Sequence, residues 1–422
     1  MKSLLDKVNA KLNAQGGFLK AVSVLIGGTA FAQLIGFLCL PILTRLYTPE
    51  DYSVLGVYVA IVAILAVISC LRFDIAIPIP ENENDGKALL LLSFLSNTIF
   101  SIILYVVLFI SYPYIQHYKI IDQLSYWIWL IPLGVFVSGF YSALQFWATR
   151  HKRFKDIAKT RMTQAISGNT ASLAGGIFSV GFGGLIVGQL LNFSGGLFKL
   201  AVSAKKDLDA VKSSPLKATF EKYSNFPKYS TFEALANVSA IQLPLILLAS
   251  YIIGPTVGYL MLAMKVLGVP MGLIGSAFSQ VYLANASSQF ESNTLYSYTK
   301  KVIFKILKIT IIPFLLLALI SPYIFGFIFG ENWSDLGFYI MLMVPWYFMQ
   351  ILTSPISMSL HITGQQKLAL LIQILGVGIR IFGLVFFSLI YLDYTVFYYI
   401  FSGFLFYFIY FILVICNLKK IG

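Results

Sequence analysis

The chain has 422 residues, 58% of them hydrophobic and 11% charged, with a formal net charge of +13 and a mean hydropathy of +0.83. This balance excludes a soluble globular domain and a disordered chain, and it describes a polytopic membrane protein. A basic excess can also mark a nucleic-acid binder, so its meaning depends on where the basic residues fall.

Apolar windows of about 20 residues, enough to cross a hydrocarbon core, recur along the sequence. They lie near 18 to 43, 52 to 71, 88 to 111, 124 to 148, 163 to 180, 184 to 204, 229 to 252, 256 to 282, 302 to 325, 336 to 360, 368 to 391 and 394 to 418. The pattern predicts an all-α membrane protein with twelve transmembrane helices. ISGNTASLAGGIFSVGFGGLIVGQ, shared by the fifth and sixth windows, is rich in Gly, Ser and Thr and blurs the boundary between them.

An even number of spans puts both termini on one side, and the loops sort by charge. Lys2, Lys7, Lys11 and Lys20 precede or enter the first span. Arg150, Lys152, Arg153, Lys155, Lys159 and Arg161 follow the fourth, seven lysines from Lys199 to Lys228 follow the sixth, and Lys419 and Lys420 close the chain. Lys300, Lys301, Lys305 and Lys308 lead into the ninth span. The opposite loops hold little beyond Arg45 and Lys119, beside Glu50, Asp51, Asp122, Glu331, Asp335 and Asp393. Both termini are therefore expected in the cytoplasm, and the basic excess is a topology signal rather than a nucleic-acid footprint.

The first apolar run is too long for a cleaved signal and is expected to stay in the membrane. Its polar positions are Thr29, Gln33 and Gly36. In LYTPEDYSVLG, Thr48 caps the next helix, Pro49 suits its first position, and Glu50 and Asp51 complement the positive end of the dipole. Reading Glu50 and Asp51 instead as a metal-binding pair of a glycosyltransferase has no large outer domain to support it. Cys39, Cys70 and Cys416 fall in spans and read as apolar fillers.

Residues 205 to 228 form the longest polar stretch. The expected division is an amino-terminal six-helix bundle at 1–204, a cytoplasmic linker at 205–228 and a carboxy-terminal six-helix bundle at 229–422. A short internal echo supports two halves: LPILTRLYTPEDYSVLGVY at 40 to 58 and LPLILLASYIIGPTVGY at 243 to 259. Repeats that run in the same sense favour a transporter with a central cavity between bundles.

Two basic residues lie deep in spans, Lys265 in the eighth and Arg380 in the eleventh. Each costs about 2.5–3.5 kcal/mol at a lipid-facing position, so each is expected to face a bundle interior or a wet cavity. Counting by three and four, Lys265 shares a face with Gly258, Gly268, Gly272, Ser276 and Ser279, and Arg380 with Gln373, Gly376 and Gly383. Such faces either line a cavity or pack helices closely. With few acids nearby, a cavity holding both cations suits an anionic substrate, phosphate above all. Tyr141 and Gln145 with Ser138, and Asn237 with Gln242, are further candidates for cavity lining. Arg45, Arg72, Asp74 and Glu233 are candidates for coupling or gating, and no buried carboxylate is expected in the amino-terminal bundle. Trp127, Trp129, Trp333 and Trp346 read as interfacial anchors. His117, His151 and His361 stand alone, and no nucleophile elbow, phosphate loop, metal-ligand spacing or cofactor motif occurs, so the chain reads as a transporter rather than an enzyme.

GGTAFAQLIGFLCLPILTRLYTPEDYSVLGVY, LRFDIAIPIP, QFWATRHKRFKDIAKTRMTQ, GGLIVGQ, NFPKYS, VGYLMLAMKVLGVP and FGENW resemble segments of the Wzx-type polysaccharide flippases. These belong with the MATE-like multidrug and lipid-linked oligosaccharide exporters. The resemblance implies two bundles around a cationic cavity and transport of an undecaprenyl-diphosphate-linked oligosaccharide, an O-antigen or capsule repeat unit, across the bacterial inner membrane. It also implies a basic residue at the position of Lys265, membrane lipids as surroundings, and polysaccharide polymerase and chain-length proteins as partners. Two rivals remain: a multidrug or small-solute antiporter of the same fold, and a membrane polymerase or ligase acting on polyprenol-linked sugars.

Overall fold

A computed structural model describes residues 17–208, 214–252 and 254–421, and every element there is helical. In hydrocarbon a helix satisfies its own backbone, which is why these apolar runs take no other form. Lys2, Lys7, Lys11 and the 209–213 part of the linker lie outside the described residues, as do the side chains of Lys20, Ser276 and His361.

The chain divides into two compact units, Met1–Leu46 with Tyr58–Ser239, and Tyr47–Val57 with Ala240–Gly422. In the first unit the long helices are α1 (Gly17–Leu46), α2 (Pro49–Ser69, whose first turns belong to the other unit), α3 (Glu83–Ile115), α4 (Leu130–Arg150) and α5 (Phe154–Ile177). The sixth expected span is broken into α6 (Gly183–Ser194) and α7 (Leu197–Leu208). The break falls at Gly195 and Gly196, and Gly196 adopts φ +80°, a left-handed conformation open to glycine at little cost.

Helix α1 packs on α5, α5 on α6, and α3 on α4. A buried core of Phe73, Leu89, Tyr141, Leu144, Trp147 and Ile157 lies under the short helix Phe73–Ala76.

The division falls after Ser239, beyond the polar stretch at 205–228, because that stretch is tied to the first unit. Lys222 Nζ lies 2.6 Å from Asp85 Oδ2, Ser214 donates to Asp85 Oδ1 at 2.7 Å, and the Phe220 and Phe73 rings are 5.4 Å apart. A lysine-rich composition alone does not reveal a docked segment.

The second unit contains α8 (Thr231–Tyr251, mostly beyond the boundary), α9 (Thr256–Glu291), α10 (Leu295–Phe329), α11 (Leu336–Ser357), α12 (Gln366–Ile390) and α13 (Thr395–Ile421). Helix α11 is its hub and packs on α9, α10 and α13. Among the described residues ten helical stretches are long and apolar enough to cross a membrane. Helix α5 is not among them, since FKDIAKTRMTQ makes its first half polar, and α9 enters only as the shorter apolar segment Thr256–Gly272. With α6 and α7 taken as one crossing, these helices account for the twelve expected spans.

The turn at LYTPEDY closes as a reciprocal cap. Thr48 N–H donates to Asp51 Oδ2 at 2.9 Å, and Asp51 N–H donates to Thr48 Oγ1 at 3.3 Å. The two segments of the internal echo meet inside the second unit. Ser53 Oγ donates to the Gly254 carbonyl at 3.2 Å, and a side chain at Gly258 would strike the Pro49 carbonyl. Only glycine permits that approach.

Two tryptophans correct the anchoring expectation. Trp333 is 0% and Trp346 3% exposed, so both fill the second unit's interior. The carboxylate expectation is corrected as well: Asp74 is 5% and Asp85 9% exposed in the first unit.

Candidate functional site

Lys265 sits in the middle of the apolar segment Thr256–Gly272 that begins α9, and its side chain is exposed. The face it was expected to share divides in two. Gly258 is packed against Pro49, whereas a Cβ added at Gly268 or Gly272 would meet nothing within 4 Å. Downstream of Lys265 the small residues therefore leave space instead of drawing a neighbouring helix close. An ammonium group on such a face can keep water, or a ligand that replaces it, which is the condition for a charge to persist at this depth.

Arg380 occupies a different environment. It is 9% exposed, and its guanidinium lies 4.9 Å from the Trp346 ring and 5.3 Å from the Phe406 ring. Gly376, one turn earlier, admits the Phe406 ring against the α12 backbone. Desolvated cation–π contacts of this kind contribute about 2 kcal/mol each, less than the several kcal/mol lost on removing an ion from water. Its Nε and Nη2 are buried without an acceptor among the described residues, as is Trp346 Nε1. Gln373, on the same helix, is exposed.

The first unit's candidates disperse. Gln33 and Thr29 are half-buried on α1, and Gln33 Oε1 is a buried acceptor with no donor among the described residues. Tyr141 belongs to the core, its hydroxyl 2.9 Å from Thr160 Oγ1. Gln145 Oε1 accepts from Arg161 Nη2 at 2.8 Å. On α8, Asn237 and Glu233 are exposed and Gln242 is half-buried. Arg45 is exposed and donates to the Pro41 carbonyl one turn back at 2.6 Å.

Arg72 and Asp74 stand where α2 ends. Leu71 and Arg72 take φ +50° and +59°, a left-handed pair that non-glycine residues seldom adopt. It reverses the chain into the helix Phe73–Ala76. Asp74 Oδ2 accepts from Ser142 Oγ at 2.6 Å, while Asp74 Oδ1 and Arg72 Nε are buried without partners among the described residues. Strain joined to half-satisfied polar groups is characteristic of functional positions.

Sequence reasoning missed the fastening of the basic end. Arg150 is buried, pairs with Glu83 Oε2 at 3.2 Å and donates to the Ile77 and Pro80 carbonyls. Arg153 Nη2 lies 2.6 Å from Asp207 Oδ1, and Asp207 Oδ2 accepts the Trp147 indole N–H at 3.1 Å. The available signal was the run of acids in ENEND and KKDLD opposite a run of arginines, which topology alone had seemed to explain. Among the described residues no group of His, Cys, Asp and Glu is placed to hold a metal ion.

Comparison with solved structures places the fold. The chain resembles the lipid II flippase MurJ in an inward closed conformation, with TM-score 0.72 and 13% identity over 94% of this chain and 87% of that one. It resembles an inward-facing multidrug resistance MATE family transporter of the MOP superfamily, with TM-score 0.64 and 15% identity over 92% and 96%. A MOP superfamily transporter from Pyrococcus furiosus, described as having a binding pocket of reverse polarity, gives TM-score 0.60 and 13% identity over 95% and 96%. No curated protein matches the sequence significantly. The sequence model of a family described as polysaccharide biosynthesis protein matches residues 42–337. With that match covering most of its length, the chain belongs to the polysaccharide biosynthesis protein family, and its fold is that of the MurJ and MATE transporter structures.

Proposed function

We propose that the protein is a flippase that carries an undecaprenyl-diphosphate-linked oligosaccharide, an O-antigen or capsule repeat unit, across the bacterial inner membrane. In this reading both termini face the cytoplasm, and the work is transport rather than bond-making. The observation that carries it is Lys265: an exposed ammonium in the middle of the apolar segment Thr256–Gly272, on one face with Gly268 and Gly272, whose added Cβ atoms would meet nothing within 4 Å. A diphosphate entering hydrocarbon needs fixed positive charge to offset the water it loses.

Lys265 contacts the diphosphate directly. Arg380, behind Trp346 and Phe406, adds positive potential to the same cavity and is uncovered as the helices shift. Movement follows alternating access, with the sugars and diphosphate in the central cavity expected of this fold and the lipid tail left in the bilayer. Leu216–Lys222 is fastened to the first unit, so the hinge lies beyond it, toward the division after Ser239. Deleting the gene is expected to leave lipid-linked oligosaccharide on the cytoplasmic face of the membrane. Normal surface polysaccharide in the deletion strain would remove this reading.

A second reading, a multidrug antiporter, gains from one residue. Asp74 is a buried carboxylate whose Oδ1 has no partner, the type of group that binds a coupling proton or cation. A drug-sensitivity change with unaltered surface polysaccharide would favour it.

A further inference from the structure

The basic end of the first unit contains a groove of about 380 Å³ between α1 and α5. Gly27, Gly28, Phe31, Ala158 and Met162 wall it, and Lys155 and Lys159 also line it. Its shape follows from two adjacent glycines. A Cβ at Gly28 would lie 2.6 Å from Ala158 Cβ, so the helices touch there, while Gly27 faces open space.

Asp156, next to Lys155 in the chain, is committed to Lys199, and elsewhere in the unit Glu83 pairs with Arg150, Asp85 with Lys222 and Asp207 with Arg153. Lys155 and Lys159 are exposed, one helical turn apart, and take part in no ion pair among the described residues. Two like charges at that spacing repel, and an anion between them relieves the repulsion. An apolar trough that runs into a span below a pair of ammonium groups matches a molecule with a phosphate joined to an acyl chain.

We propose that this groove binds an anionic glycerophospholipid, with its phosphate on Lys155 and Lys159 and an acyl chain along Phe31 and Met162. The site lies wholly within the first unit, whereas Lys265 belongs to the second, so lipid binding is separable from substrate transport.

The full chain in nanodiscs of equal phosphatidylglycerol and phosphatidylcholine, examined by native mass spectrometry, tests the assignment. The wild type is expected to retain phosphatidylglycerol over phosphatidylcholine by about tenfold. The pair Lys155→Gln with Lys159→Gln should bring the ratio close to one with an unchanged thermal midpoint. Gly27→Leu, which fills open space, should reduce retention of both lipids. Inorganic phosphate should fail to displace the bound lipid. Equal retention of the two lipids by the wild type, an unchanged ratio in the lysine variant, or displacement by inorganic phosphate would overturn the proposal.

Discussion

Trp333 donates its indole N–H to the backbone carbonyl of Tyr47 at 3.2 Å, across 286 residues of chain. The same fully buried ring meets Tyr52 edge-on at 5.1 Å and Tyr259 at 5.7 Å. This cluster is why Tyr47–Val57 groups with the carboxy-terminal helices. Trp333→Ala should cost about 3–5 kcal/mol and lower the thermal midpoint in detergent, and Trp333→Phe should recover part of the loss. A wild-type midpoint for Trp333→Ala would show that the joint does not depend on this ring.

Local chemistry was legible in the sequence and remote fastening was not. Thr48, Pro49 and Asp51 could be assigned because a cap involves neighbours four residues apart at most. The spans could be assigned because hydrocarbon thickness sets their length. Trp333 and Trp346 misled because a tryptophan near a span end looks the same whether a lipid headgroup or a protein cavity receives it. The fastening of the polar stretch was hidden for the same reason: Lys222 and Asp85, 137 residues apart, form an ion pair that composition cannot show. Lys265 and Arg380 could be picked out as intramembrane cations, but whether a glycine beside them faces space or an aromatic ring depends on a helix elsewhere in the chain.

The glycines of α9 give a paired prediction. Gly258→Ala should destabilise the protein, because the methyl group would strike the Pro49 carbonyl. A Cβ at position 268 meets nothing within 4 Å, so Gly268→Leu should leave the thermal midpoint nearly unchanged while reducing transport by occupying the face beside Lys265. Thermal unfolding and complementation of a deletion strain read the two effects separately. Equal destabilisation by both variants would contradict the contrast.

Arg380 tests whether a costly buried charge is kept for function. Replacing a buried ion by an apolar side chain of similar volume is often neutral or stabilising by about 1–4 kcal/mol. Arg380→Met should therefore unfold at the wild-type temperature or higher, yet support less surface polysaccharide. Full complementation by Arg380→Met would assign the guanidinium a packing role only.

The Lys222–Asp85 pair should hold Leu216–Lys222 against the first unit. The hydrogen bond to Asp85, and then Tyr223, hold the Lys222 ammonium above its ordinary value of 10.5. A raised folded value means the contribution is complete at neutral pH and is lost only as pH rises through that value. Lys222→Met should therefore speed hydrogen exchange across Leu216–Lys222 at pH 7 without changing exchange in α11. Unchanged exchange in the variant would place the hold elsewhere, at Phe220 and Phe73.

The central claim is that Lys265 supplies positive charge to a diphosphate in transit. Its most direct test is transbilayer movement of a polyprenyl-diphosphate-linked oligosaccharide in proteoliposomes containing the wild type or Lys265→Ala, Lys265→Gln or Lys265→Arg. The account predicts that Ala and Gln lose about tenfold or more in rate, the equivalent of one charge-assisted hydrogen bond, while Arg retains most of it. Wild-type rates in Lys265→Ala, or equal losses in Arg and Gln, would contradict it.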